Sequence, residues 1–269
     1  MAKRGSPGAE SSKNGDPLAT VDIGEEEVKI LNELQKDVQR VELILERRAQ
    51  EALTPVYEKR REALKKIDKF WPVALTRNSI IAFSAQHDAD RLALSYLEDV
   101  WVVRDKREPK VFTLEFTFKE NPFFSDTVLK KEYRFVPPPG EDAPDADGIT
   151  QAMLDFSWER DVIPQKTSIS WKDDSKNLTK LYPLVVDAED PDDAADPGSF
   201  FNFFEAEKDY NDLGVTIANE IFPDAIQYFT GDMGDDDDEE DDEEDEEDDD
   251  EEEEEIDLEK PRAKKAKNA

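Results

Sequence analysis

Residues 25–54 read EEEVKILNELQKDVQRVELILERRAQEALT, and this stretch decides the architecture. Leu31, Val38 and Leu45 stand seven apart, and Ala52 continues their series. Leu34 and Val41 form a second series three residues behind Leu31 and Val38. These are the a and d places of a heptad. Arg48 and Pro55 interrupt the second series, and Glu33, Lys36, Asp37, Gln39, Arg40, Glu42, Glu46 and Arg47 fill the intervening positions with groups that want water. Thirty helical residues reach about 45 Å, longer than a small domain is wide. A seam this narrow needs a second helix, and no other segment of the chain matches it in length and period. The simplest partner is the same helix of a second copy, parallel or antiparallel. Dimerisation is therefore assigned to Leu31, Leu34, Val38, Val41, Leu45 and Ala52. A surface helix packed on its own domain is the alternative.

Pro55 should end or kink the helix near Thr54, because proline lacks a donor and crowds the preceding turn. The apolar pattern resumes at Val56, Tyr57, Ala63, Leu64 and Ile67 and stops at Phe70-Trp71-Pro72. Lys59, Arg60, Arg61, Lys65, Lys66 and Lys69 make this second half basic, which suits a helix C-terminus and offers a grip for an acidic domain. The helical segment is thus 25–70, kinked near Pro55.

The 269 residues carry 69 acidic and 35 basic side chains, a formal charge of −34. Asp235 to Glu255 is an unbroken run of 21 carboxylates, and without it acidic residues still exceed basic ones, 48 against 35. Such a chain is a poor ligand for a phosphate backbone, which is held by displacing counterions with lysine and arginine. It favours cationic partners and fast, salt-sensitive encounter. Cysteine is absent, so no disulfide or thiolate site is expected. No apolar run is long enough for a membrane span, and residues 1–24 read as a polar, disordered arm rather than a signal peptide.

From Asp99 the period changes to two. Val100–Val103, Val111–Phe118 and Val128–Val136 read as three strands of an antiparallel meander, with Phe112, Leu114, Phe116 and Phe118 on one face. Thr167–Trp171 is the expected fourth strand. Residues 137–166 read as a proline- and aspartate-rich insertion whose Trp158 is expected to dock on the body, with a partner as the alternative, and 187–198 as an acidic linker. Ser199 is a candidate N-cap. Phe200, Phe201, Phe203 and Phe204 are spaced to cover the apolar sheet face, and the acidic side chains among the following apolar ones should face solvent. The fold class is α+β, with the domain at 71–231, an acidic tail at 232–259 and a basic segment at 260–269.

Four ordered motifs carry a family resemblance. Pro55-Val56-Tyr57-Glu58-Lys59-Arg60-Arg61 running to Phe70-Trp71 resembles the end of the dimerisation helix of the nucleosome assembly protein (NAP) family. Glu120-Asn121-Pro122-Phe123-Phe124 resembles its Glu-Asn-Pro-aromatic-Phe turn. Ser199-Phe200-Phe201-Asn202-Phe203-Phe204 with Leu213-Gly214, and Glu220-Ile221-Phe222-Pro223 to Tyr228-Phe229, resemble its C-terminal helices. Within the family the shorter SET branch and its fungal relatives look most similar. The resemblance implies a headphone-shaped homodimer with two "earmuff" domains, acting as a histone chaperone. It places histone contacts on Glu205, Glu207, Asp209 and Asp212; Glu220, Asp224 and the tail residues Asp235, Glu240, Asp250 and Glu255 complete the candidate acidic surface. The segment from Glu205 to Asp212 is shorter than in animal members, and the insertion is not a general family feature. Implied partners are core histones and a second copy of the chain. Resemblance to SET further implies masking of histone tails against acetyltransferases or inhibition of a serine/threonine phosphatase, and resemblance to the fungal relatives implies instead a partner histone acetyltransferase whose action is promoted. A solubilising appendage is the bland alternative for the tail.

Lys260, Arg262, Lys264, Lys265 and Lys267 form a candidate nuclear-import signal for an importin, giving a nuclear protein that shuttles through the cytoplasm; folding back on the acidic run is the alternative. An enzyme is not expected. The chain has no cysteine, one histidine (His87, among polar residues), no phosphate-cradling glycine loop and no metal-ligand spacing, so no catalytic, cofactor or metal residue is assigned.

Overall fold

A computed structural model describes residues 24–137, 139–140, 143–188 and 194–232. Its first element, α1 (Glu25–Leu64), is one α-helix of 40 residues with Pro55 inside it. Of the two expectations at Pro55, an end or a kink near Thr54, the end is not found. Proline forfeits only the hydrogen bond to the Glu51 carbonyl, at a place exposed to water. Beyond it, Tyr57, Arg60 and Leu64 pack on the domain and hold the next turns helical: Tyr57 meets Phe222 edge-on at 5.1 Å and Leu64 is buried. The helix stops at Leu64 rather than continuing to residue 70. Lys69 adopts a left-handed φ of 56° and turns the chain into α2 (Phe70–Thr76), whose Phe70, Trp71, Ala74 and Leu75 are core residues.

Two short helices, α3 (Ser79–Ser84) and α4 (Asp88–Leu94), lead into the sheet. The Asn78 side chain caps α3 by accepting from the Ile80 and Ile81 N–H groups. Strands β1 (Leu97–Arg104), β2 (Phe112–Phe118) and β3 (Val128–Phe135) form the expected antiparallel meander. Strict alternation puts Phe112, Leu114, Phe116 and Phe118 inside, while Thr113, Glu115 and Thr117 remain half-exposed. The fourth strand is not Thr167–Trp171 but β4 (Val162–Pro164), paired with residues 133–135 of β3. Residues 167–171 form no strand of this sheet: the Thr167 N–H donates to Phe204 O, and Trp171 makes an isolated antiparallel bridge to Phe124. The insertion is consequently part of the body. It contains α5 (Gln151–Leu154), α6 (Trp158–Asp161) and β4, and Trp158 docks on Phe112 and Tyr133, both at 5.7 Å, as expected.

The chain closes over the sheet with α7 (Leu178–Leu181), a small hairpin of β5 (Val185–Val186) and β6 (Ala194–Asp196), α8 (Asn202–Glu205), α9 (Leu213–Thr216), a π-helical turn Ile217–Ile221 and α10 (Ala225–Thr230). Phe200, Phe201, Phe203 and Phe204 are buried against Phe116, Phe118 and Phe124, as their spacing requires. Ser199 is buried but is not the cap of α8. Its hydroxyl donates to Asp90 at 2.5 Å and accepts from the Phe201 N–H. His87 stacks on Tyr182 at 3.9 Å, a packing role.

Candidate functional site

Two surfaces of this scaffold are unspent by the fold. The first lies on α1. Leu31, Leu34, Val38, Val41 and Leu45 are each 53–56% exposed, and Ala52 is exposed too. At 100° per residue they fall within one stripe. Lys36, Arg40, Leu43 and Arg47 fall on the opposite side of the same helix, and that side is covered. Leu43 is 1% exposed against Ile149 and Met153 of the insertion. Arg40 pairs with Asp145 and Asp147, and Lys36 with Asp155 at 3.8 Å. The chain thus buries one face of its long helix and leaves the other, a contiguous apolar strip, facing water. A strip of this extent marks an interaction surface.

Of the basic residues beyond Pro55, Arg60 and Arg61 hold the domain. Arg60 stacks over Tyr57 and Phe222, 4.6 Å from each ring centre, and donates to Pro223 O at 2.8 Å. Burial holds its pKa below the usual arginine value. Arg61 pairs with Asp99 and lies 4.7 Å over Trp101.

The second surface is the acidic stretch that begins at Glu205, the last residue of α8. Sequence reasoning places all six of its carboxylates in solvent, and the structure divides them. Glu205 faces inward: it accepts from the Ile169 N–H, Trp171 Nε1 and the Thr179 hydroxyl. Asp209 also faces inward. It accepts from Tyr133 at 2.6 Å and from the Gly214 N–H at 3.0 Å, and burial pushes its pKa up to about 6. Behind the same loop Lys131 is fully buried and donates to Ala206 O at 2.7 Å; burial lowers its pKa to about 8, against the pull of Asp209. Glu207, Asp212, Glu220 and Asp224 are exposed. Hydrogen bonding from Lys166 at 2.6 Å holds the Glu207 carboxyl below its ordinary range. Asp212 takes a left-handed φ of 51° and carries the chain into α9.

Two carboxylates therefore anchor the loop and four face outward. The anchors escape a reading by charge alone, because Asp and Glu are rarely buried unless paired. The partner was legible: Leu129, Lys131 and Tyr133 share one face of β3 by period two, which turns Lys131 inward. Asp235, Glu240, Asp250 and Glu255 and the basic cluster at Lys260, Arg262, Lys264, Lys265 and Lys267 lie outside the described residues. Among the described residues no group of His, Cys, Asp or Glu has metal-holding geometry, and no helix is long and apolar enough to cross a membrane.

The family model for nucleosome assembly protein (NAP) matches residues 19–232. The chain belongs to the NAP family. Among curated NAP relatives, a putative nucleosome assembly protein of Schizosaccharomyces pombe is 30% identical over 213 residues, covering 76% of this chain and 79% of that protein. Nucleosome assembly protein 1;1 of Arabidopsis thaliana is 32% identical over 191 residues, 62% of this chain and 47% of the relative. The chain thus spans about half the length of several curated NAP relatives. Of solved structures, Ccp1 is similar with a TM-score of 0.57 at 25% identity, over 78% of this chain and 96% of that one. Vps75 shares the fold, with a TM-score of 0.53 at 17% identity over 77% and 98%. The NAP fold, a long N-terminal helix followed by an antiparallel sheet and covering helices, is the fold described above.

Proposed function

We propose that this NAP-family protein is a histone chaperone. Two copies join along the exposed strip of α1 into a headphone-shaped dimer, and each domain presents an acidic surface to core histones. The observation that carries the reading is the division of carboxylates from Glu205 onward. Glu205 and Asp209 pin the loop to the core, so Glu207 and Asp212 stand at fixed positions in solvent, with Glu220 and Asp224 exposed on the elements that follow. A preset array of anions gives orientation to a basic cargo, while the acidic run 235–255 adds long-range attraction and raises the encounter rate. Because histones must be surrendered to DNA, a surface that holds them by screenable charge suits assembly and disassembly alike. The protein acts by binding, not by catalysis.

The SET-like branch is the subgroup we favour. The compact body supports it, as does coverage of the fission-yeast relative at 79% of its length against 47% of the plant one. The basic segment 260–267 would serve nuclear import through an importin, a reading that rests on its composition.

The test is capture of core histones by the chain lacking residues 235–269, across a salt series. Retention near physiological ionic strength, weakening as salt rises, is expected. Loss of capture at every salt concentration would overturn the role given to the body.

A further inference from the structure

The insertion grips α1 at a distance from its root. At the root, Tyr57, Arg60, Arg61 and Leu64 fasten the helix to the domain. About 15 Å further along the rod, Arg47 donates to three carbonyls at once: Arg107 O at 2.8 Å, Asp147 O at 2.8 Å and Gly148 O at 3.3 Å. These carbonyls belong to the β1–β2 turn and to the insertion, so a single guanidinium joins three parts of the fold. About two turns earlier Arg40 pairs with Asp145 and Asp147, and Leu43 is sealed between them by Ile149 and Met153. Pro55 lies between the two fastenings, at the turn where the helix lacks a hydrogen bond.

We propose that Arg40 and Arg47 are positioning residues, and that the strap at 145–153 is a brace that fixes the angle between the rod and the domain. A helix held only at its last two turns would pivot about the Lys65–Lys69 turn and bend at Pro55. A helix held on both sides of Pro55 does neither. The brace occupies the side of α1 opposite Leu31, Val38 and Leu45, so it leaves the apolar strip free. In the dimer read above, it sets the spacing between the two acidic surfaces and hence the width of cargo they meet together. That last consequence rests on the proposed dimer; the brace itself does not.

The test uses the full chain, which has no native cysteine. Spin labels at Asn32→Cys on α1 and Lys172→Cys on the domain report the rod-to-domain distance within one subunit, with the labelled chain diluted in excess unlabelled chain. Light scattering reports dimerisation separately. The intact protein should give one narrow distance distribution. Arg40→Gln with Arg47→Gln should broaden it at least twofold, with molar mass and thermal unfolding midpoint nearly unchanged. Asp145→Asn with Asp147→Asn, at exposed sites, should broaden it to a lesser extent, because Arg47 keeps its carbonyls. An unaltered distribution in both variants would overturn the brace, whether or not the protein is a dimer.

Discussion

The Tyr133 hydroxyl donates to Asp209 Oδ2 at 2.6 Å, linking the middle of the sheet to the loop that carries the candidate acidic surface. Burial pushes the tyrosine pKa well above 10, so it stays a donor throughout the working range. Its hydrogen bond opposes the burial that raises Asp209 to about 6. Tyr133→Phe leaves a buried carboxylate short of a partner, a loss of about 1–3 kcal/mol. Without that donor the Asp209 pKa climbs further, so the deficit should grow as pH rises above about 6. Urea unfolding at pH 5 and pH 8 checks both the size and the trend. An equal deficit at the two pH values would show that Asp209 does not depend on this bond.

Glu108 presents a different buried carboxylate. It is 2% exposed, neither oxygen has a hydrogen-bond partner, and Lys110 Nζ is 3.8 Å away. Burial raises its pKa to about 7, above the unfolded value of about 4.3. A raised carboxyl pKa favours the folded state fully below the unfolded value, and that advantage is lost as pH rises through about 7. Glu108→Gln should therefore be near neutral at pH 4.5 and stabilising by about 1–3 kcal/mol at pH 8. Denaturation midpoints at fixed protein concentration decide it, since dimerisation would otherwise shift them.

Gly214 shows where the NAP-type Leu-Gly pair has a steric reason. A β-carbon there would collide with the Tyr133 hydroxyl and ring. The ring is buried among Phe112, Trp158 and the core and cannot retreat. Gly214→Ala is expected to cost about 1–3 kcal/mol by overpacking, visible as a lower thermal midpoint. An unchanged midpoint would mean that β3 shifts freely.

For the rod, Val38→Asp combined with Leu45→Asp puts two charges at the centre of the exposed strip. Light scattering should then give the mass of a single chain, while the domain keeps its unfolding transition. A persistent dimer would move the interface elsewhere.

Deleting 235–255 removes 21 carboxylates. The association rate with histones should fall at least tenfold at low salt and converge with that of the full chain at high salt, the dimer being unaffected. Stopped-flow association across a salt series tests this. A rate indifferent to the deletion at low salt would reduce the run to a solubilising role.

Much of this molecule follows from short-range pattern. The heptad series from Leu31 to Ala52, the alternation from Phe112 to Phe118 and the Phe200–Phe204 cluster are set by periods of 3.5 and two, which a dozen neighbouring residues suffice to express. Each appears where the period puts it. Tertiary structure alone decided which segments meet. Residues 162–164, not 167–171, complete the sheet, because β3 extends to Phe135 and offers its edge there. Asp145 and Asp147 find Arg40 more than a hundred positions away. Glu205 and Asp209 turn inward because donors from distant strands and turns await them. Pro55 fails to end α1 because packing beyond it outweighs one lost hydrogen bond. Local sequence sets the faces of each element; the choice of partner depends on free energies shared among residues far apart in the chain, and those exist only once the chain has closed on itself.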